Sequence, residues 1–558
     1  MSIFSSLPAT GIMISFGKNL LLMQSNRSIL TIIAVLVLSI GLALFPQSSE
    51  STVLRALFPA AVALLITVLT KQAVLGLSLG AFSGVLLLTG GNVFGSMTSM
   101  VEEHIFPALS GSWHVGAILF TLILGAFAMV IEKSGGFETL ANRLLSKGKG
   151  DAKRRFEATT TGLGLLCFFD GLANSLLLGR IAKPLADRLG VSRAKLAYIV
   201  DSTSSSVACI AFISTWIATQ LSLIEQSTRA YAQVTDSAYL LFFKSIPNNF
   251  YCLFTLIFLV FVIVKRWNIG PMNYSKAVEF SADTLEKKAE PESPMRVALV
   301  PIFVLSAAIL LLFYTWDTAE LFPVTTDKLS AAFSGKAGPY ALTLGALVGL
   351  FAACVYFPKR KLPVLSETVK EGVSSMLQPV LLLIMAWTFG SVIAELGTGK
   401  WVASALGEHV AANYLPTAVF VTGAAIAFTT GSSWGTMALL MPIALPAYLD
   451  LAGGEVDLLP ATIAAVFSGA VFGDHCSPFS DTTIVSAFAC GVSPQEHVLT
   501  QLPYALITAG TALLFGFTSI AHGLHAGLAI LLGTLFLGLL TWFFTRSNSG
   551  KKRSELCR

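Results

Sequence analysis

The chain has 558 residues, of which 54% are hydrophobic and 12% charged; an ordinary soluble domain carries about 25% charged residues. Together with a mean hydropathy of +0.75, this excludes a disordered chain, a secreted disulfide scaffold and a cytosolic enzyme, and leaves a polytopic protein of the lipid bilayer. The net charge of +5 is no nucleic-acid signal, and seven scattered cysteines without a Cys-x-x-Cys pair read as small apolar core residues.

A crossing helix needs about 20 apolar residues, because only a helix satisfies its own backbone in hydrocarbon. Residues 1–28 read as a cytoplasmic leader. The first repeat with an extra N-terminal span covers 29–266, with spans near 29–46, 52–70, 72–90, 114–132, 197–222 and 246–264. The polar stretch 267–295, rich in Glu and Lys with three prolines, reads as a cytoplasmic linker. The second repeat with an extra C-terminal span covers 296–545, with spans near 297–315, 339–357, 375–396, 460–489, 503–521 and 527–545. Residues 546–558 form a cytoplasmic tail.

Two further apolar stretches, 156–179 and 415–446, do not read as simple crossings. Segments 133–155 and 180–195 are both strongly basic, so the positive-inside rule puts both in the cytoplasm. The stretch between them then enters and leaves on one side. The flanks of 415–446 carry Glu395, Glu408, Asp450, Glu455 and Asp457 and read as external. Both stretches are therefore expected to be re-entrant hairpins; the bland alternative is fourteen ordinary spans. With the hairpins, both termini are cytoplasmic. Of 36 Lys and Arg, all but Arg55, Arg229, Lys244, Lys328, Lys336 and Lys400 fall inside. The expected fold is all-α, with about twelve transmembrane helices and two re-entrant hairpins.

The halves share an order of breaks. The first has a hairpin with Asn174-Ser175, Pro184, then a span opening AYIVDSTSSSVACI (197–210). The second has a hairpin with Ser432-Ser433, Pro442, then AAVFSGAVFGDHCSPFSDTTIVSA (464–487). Asp201 would correspond to Asp474. The same order entered from opposite sides is an inverted-topology repeat, a recurring plan of secondary transporters.

Four aspartates fall inside apolar stretches: Asp170, Asp201, Asp474 and Asp481. Ionisable groups there cost several kcal/mol and face a cavity or a partner. Around them lie Ser202, Thr203, Ser204, Ser477, Ser480, Thr482 and Thr483. Pro478 breaks the second run by removing a backbone donor. Carboxylates, hydroxyls and freed carbonyls are hard oxygen ligands that suit Na⁺. The hairpin tips add Asn174, Ser175, Ser432, Ser433 and Thr436, suited to a cation, an anionic substrate or both. His475 beside Asp474 is read either as a proton relay or as a polar residue at a helix break. His104, His114, His409, His497, His522 and His525 are expected at interfaces or loops. A nucleotide loop, zinc-ligand spacing and a nucleophile–base pair are all missing from the sequence, so neither an enzyme nor a cofactor is expected.

FGDHCSPFSDTTIVSA (472–487) closely resembles the signature of the NhaC-type Na⁺/H⁺ antiporter family. The stretch 168–218, opening FFDGLANSLLLGRIAKPLADRLG, and GSSWGTMALLMPIALP (431–446) are similar to that family's other long motifs. The resemblance implies a multi-pass secondary transporter of the bacterial inner membrane. It would exchange cytoplasmic Na⁺ for external H⁺ by elevator-like movement, and would be a homodimer. Asp201 and Asp474 would be the competing carboxylates, with Asp170 and Asp481 next. The other expectation keeps the fold and changes the cargo to an organic acid or amino acid coupled to Na⁺ or H⁺.

Overall fold

A computed structural model describes residues 26–44, 49–146, 151–275, 293–316, 328, 332, 337–407 and 411–556. The leader up to residue 25, most of the linker (276–292) and the last two residues of the tail lie outside the described residues. The described elements are helical, in the order α1 (Asn26–Leu44), α2 (Ser49–Thr70), α3 (Ala73–Leu88), α4 (Val93–Ser110), α5 (Ser112–Ser134) and α6 (Gly136–Ser146). Next come α7 (Ala152–Leu166), α8 (Gly171–Leu189), α9 (Arg193–Ile210), α10 (Thr215–Thr228), α11 (Ala238–Ser245) and α12 (Phe250–Lys265). The second half has α13 (Arg296–Trp316), α14 (Gly338–Tyr356), α15 (Leu365–Ser375), α16 (Leu377–Glu395) and α17 (Thr398–Gly407). It ends with α18 (Leu415–Thr430), α19 (Ser433–Leu451), α20 (Leu459–Cys476), α21 (Asp481–Cys490), α22 (Pro494–Ala521) and α23 (Ala526–Leu556). Among the described residues, 10 helices are long and apolar enough to cross a membrane, or 12 if each of two bent pairs is one span.

Both anticipated hairpins are present. The α7 and α8 legs lie side by side: Asn174 Nδ2 donates to Gly164 O at 3.0 Å near the tip. At the base, Lys153 Nζ donates to Gly190 O at 2.9 Å. Chain entry and exit therefore share one end. The α7 leg has 15 residues, about 22 Å of helix, against a hydrocarbon core of about 30 Å. In the second hairpin, a Cβ added to Gly423 would meet Leu440 at 3.3 Å, so α18 and α19 fold back along each other. Gly431 makes that turn with φ +70, a left-handed conformation that disfavours a side chain.

The structure divides two expected spans and adds shorter helices. The span expected at 197–222 breaks at 211–214 into α9 and α10, bent by 42°. Ser214 caps the second piece by accepting from Trp216 N at 3.2 Å. The span expected at 460–489 breaks around Pro478 into α20 and α21. After α3 the chain turns 115° into α4, a segment whose mixed polarity hid it from a hydropathy reading. Proline-led α22 begins nine residues before the expected 503.

Small residues set the helix spacing. On α20, Gly469 and Gly473 face α18: a Cβ on Gly473 would stand 2.4 Å from both Phe428 N and Ala427 Cβ. On α14, Gly345 and Gly349 take Ile309 and Leu305 of α13 in the same way. This is the small-xxx-small device by which membrane helices approach without a hydrophobic driving force. Cys167, Cys209, Cys252, Cys476 and Cys490 are free and buried, as the composition suggested.

The two broken helices run antiparallel. Arg193, which opens α9, reaches Gly491 O just past the end of α21 at 3.5 Å. Further along, Asp201 meets Ser486 and Ser205 meets Asp474. Each hairpin tip rests on the break of its own repeat: Thr215 N donates to Phe169 O at 2.9 Å, and Gly431 packs on Phe479. Each hairpin also leans on the other repeat's broken helix, through Ser175–Ser486 and Trp216–Trp434. Two like units in opposite directions is the geometry of an inverted repeat.

Candidate functional site

The polar residues converge where the antiparallel helices cross. Asp474 ends α20 and is buried. Its carboxylate accepts three hydroxyls. Ser480 donates to Oδ1 in a short contact. Thr482 donates to Oδ2 at 2.6 Å and Ser205, from α9, at 3.0 Å. Thr483 Oγ1 donates to the Asp474 carbonyl at 3.0 Å. Pro478 drives this grouping: α20 stops, the chain is extended through Ser477 and Ser480 before α21 begins, and two hydroxyl side chains come back to the carboxylate. Ser477 is buried in the turn, its Oγ accepting from Phe479 N at 3.4 Å.

Asp201, fully buried on α9, has a different shell. Oδ2 accepts from Gln501 Nε2 at 2.6 Å and lies 3.3 Å from His497 Nε2. Oδ1 accepts from Ser486 Oγ at 3.2 Å. Gln501 also donates to the His475 carbonyl at 3.0 Å, tying the two carboxylate sites together. Ser205 lies one helical turn from Asp201 and donates to Asp474, so the two acids share a wall. Asp474 is ringed by hydroxyls, which can either donate to a carboxylate or turn their oxygens to a cation. Asp201 is held largely by nitrogen donors, and an amide N–H cannot ligate a cation.

The remaining residues scatter around this centre. Ser204 Oγ donates to Asp201 O at 3.0 Å. Thr203 Oγ1 turns back to Ile199 O at 2.9 Å, while its carbonyl accepts from Asn174 Nδ2 at 3.0 Å. Asn174 Oδ1 is buried without a hydrogen-bond partner. Ser175 Oγ lies 2.9 Å from Ser486 Oγ. Ser202 lines a small cavity with Tyr198, Tyr251, His475, Gln501 and Tyr504. His475 Nδ1 pairs with Tyr251 OH at 2.9 Å, and its buried Nε2 has no hydrogen-bond partner.

Asp170 stands apart as the cap of α8. It accepts from Ala173 N at 2.6 Å and from Thr215 Oγ1 at 2.8 Å. Ser432 is its counterpart on α19, accepting from Gly435 N at 3.0 Å. Thr436 Oγ1 donates to Ser432 O at 2.8 Å, and Ser433 is buried beside it. Asp481 opens α21 with an exposed side chain, outside the buried cluster.

The geometry alters one correspondence. Asp474 lies three residues before Ser477, where α20 ends, whereas Asp201 lies ten before Ala211, where α9 ends. The true equivalents are the caps, Asp170 with Ser432 and Ser214 with Ser480. The two central acids are brought together by crossing, not by repeat register. Sequence reasoning also missed Ser205, Ser486, Gln501 and His497 as partners of these acids. His497, expected at an interface or loop, is fully buried against Asp201. The signal for it was Ser493-Pro494, an N-cap followed by proline at the first helical position. That start places His497 and Gln501 one turn apart on one helix face.

Residues 207–520 match the model of the Na⁺/H⁺ antiporter family. An uncharacterized protein of Haemophilus influenzae is 30% identical over 480 residues, 84% of this chain and 91% of that protein. The malate-2H⁺/Na⁺-lactate antiporter of Bacillus subtilis is 30% identical over 169 residues, 28% of this chain and 33% of its own length. The YdaH transporter of Alcanivorax borkumensis superposes with a TM-score of 0.53 at 16% identity, covering 78% of this chain and 90% of that one, a likeness of fold.

Proposed function

This chain belongs to the Na⁺/H⁺ antiporter family, and from that premise we propose that it exchanges cytoplasmic Na⁺ for external H⁺ across a bacterial inner membrane. The observation that carries the reading is the hydroxyl ring on Asp474, set beside a second buried acid with a different shell.

A carboxylate that holds either a proton or Na⁺, never both, couples the two flows. Ionised Asp474 with the oxygens of Ser205, Ser480 and Thr482 is a hard-ligand seat for a dehydrated Na⁺. Protonation removes the negative charge, and the hydroxyls lose their reason to hold a cation. Asp201 is the second carboxylate of the pair. Its Gln501, Ser486 and His497 partners suit it to keeping charge or a proton rather than to ligating the ion. The His475 imidazole pairs with Tyr251 and its backbone carbonyl accepts from Gln501, the donor to Asp201, so the bridge fixes α20 against Asp201, and a proton-relay role rests on the imidazole alone. Asp170 caps a hairpin and supports the site from its rim, while exposed Asp481 lies at the approach. Elevator-type movement of the hairpin-bearing core within a homodimer, with both termini cytoplasmic, would present the seat to each side in turn.

The test is Na⁺-driven proton flux in proteoliposomes without organic solute. Asp474→Asn and Asp201→Asn should each abolish it while the protein remains inserted and monodisperse. Full flux in both variants would refute the assignment.

A second reading has one observation in its favour, the Bacillus subtilis relative named for malate and lactate. An organic carboxylate would have to use the second tip. The N-terminus of α8 is already occupied by its own Asp170 carboxylate, whereas α19 is capped by neutral Ser432 and retains a favourable end for an anion. An absolute requirement for such a solute in the same assay selects this reading.

A further inference from the structure

A second cavity lies away from the aspartates, at the base of the first hairpin. Its volume is about 210 Å³, and its walls include Lys153, Arg154, Lys195, Arg266, Glu157 and Ser192. Four cations face one carboxylate. Asp151 pairs with Arg266 in a short contact, and Lys153 spends a proton on Gly190 O. Lys195 is different. It is 4% exposed, and its Nζ has no hydrogen-bond partner. The amine lies 5.3 Å above the rings of both Tyr198 and Tyr504, which stabilise the cation without accepting its protons. A buried ammonium with three unfilled donors is expensive to keep. Exposed Arg154 stands at the same cavity with a guanidinium fork suited to oxyanions.

We propose that this cavity is a binding site for a phosphate-bearing anion, held by Lys195 from within and by Arg154 at the mouth. A tetrahedral oxyanion offers several acceptor oxygens at once, which suits an ammonium and a guanidinium converging from different elements. The ligand is either a soluble phosphate or the headgroup of an anionic phospholipid, since basic pockets between membrane helices take headgroups. The walls come from α7, from the α8–α9 turn and from the segment after α12, so an occupant would clamp the first hairpin to α12. Lys195 also stands between this cavity and the small one lined by Tyr198, His475 and Gln501, which places the clamp next to the aspartate cluster.

The test uses the full-length protein and reads its thermal midpoint in two arms. One titrates inorganic phosphate in detergent against chloride at matched ionic strength. The other compares nanodiscs of phosphatidylglycerol with nanodiscs of phosphatidylcholine. A saturable upward shift is expected in at least one arm. Lys195→Gln and Arg154→Gln should each weaken the apparent affinity at least tenfold, or abolish the lipid-dependent shift. Lys370→Gln, a 75% exposed lysine elsewhere, should not. A response to phosphate alone identifies a soluble ligand; a response to phosphatidylglycerol alone identifies a headgroup. If Lys195→Gln does not fold, exposed Arg154→Gln carries the test by itself. No response in either arm, or an undiminished one in the folded variants, overturns the proposal.

Discussion

Replacing Thr482 with Val keeps a β-branched side chain of nearly the same shape and deletes the hydroxyl that donates to Asp474 Oδ2 at 2.6 Å. Hydrogen bonds to charged groups contribute about 1.5–3 kcal/mol. At about 1.4 kcal/mol per factor of ten, loss of that oxygen as a Na⁺ ligand should raise the KM for Na⁺ roughly ten- to a hundredfold. The neighbouring residue supplies the control. Thr483 Oγ1 donates to the Asp474 backbone carbonyl at 3.0 Å and not to the carboxylate, so Thr483→Val should change KM less than about fivefold, as expected when one ordinary hydrogen bond of about 0.5–1 kcal/mol is lost. The assay is Na⁺-dependent proton flux in proteoliposomes over a range of Na⁺ at fixed pH, normalised to inserted protein. A Thr482→Val flux curve superposable on the wild type, or equal penalties at 482 and 483, would refute the hydroxyl ring as the ion seat.

Gln501→Leu removes the donor that joins Asp201 to the His475 carbonyl. It should cut the maximal exchange rate at least tenfold, measured in the same liposomes, and unchanged flux would separate Asp201 from turnover. Gly473→Leu would force a side chain into a space where even a Cβ stands 2.4 Å from Phe428 N. Overpacking costs about 1–3 kcal/mol or more, so the variant should show a lowered thermal midpoint or fail to accumulate. Cysteines introduced at Arg154 and Arg188, both exposed near the base of the first hairpin, should be labelled from the same side of sealed vesicles. Labelling from opposite sides would make the stretch a single crossing and remove the hairpin.

Charge made the hairpins legible, because two basic loops on the same side force the chain between them to return; apolarity alone could not, since both legs of the second hairpin are long enough to span. The aspartate clusters were legible for a related reason: a carboxylate in an apolar run has no cheap structural excuse. Their pairing was less so. Repeat order suggested that Asp201 and Asp474 are symmetry mates, yet their distances from the helix breaks differ. What unites them is the antiparallel crossing of α9 and α20–α21, a tertiary event that no spacing records. Ser205 and Ser486 follow the same logic: each is an ordinary membrane serine until the crossing puts Ser205 against Asp474 and Ser486 against Asp201. His497 and Gln501 were hidden by a boundary, since hydropathy starts α22 at Pro503 while the Ser493-Pro494 cap starts it nine residues earlier. A hydropathy window measures what lipid will accept. In the first turns of α22 the face that carries His497 and Gln501 is buried against the protein, not lipid, and is therefore free to be polar; this freedom is what lets it carry the amide and imidazole that hold Asp201. The same argument applies to the base of the first hairpin, where Lys195 is buried although the sequence around it reads as one more basic loop.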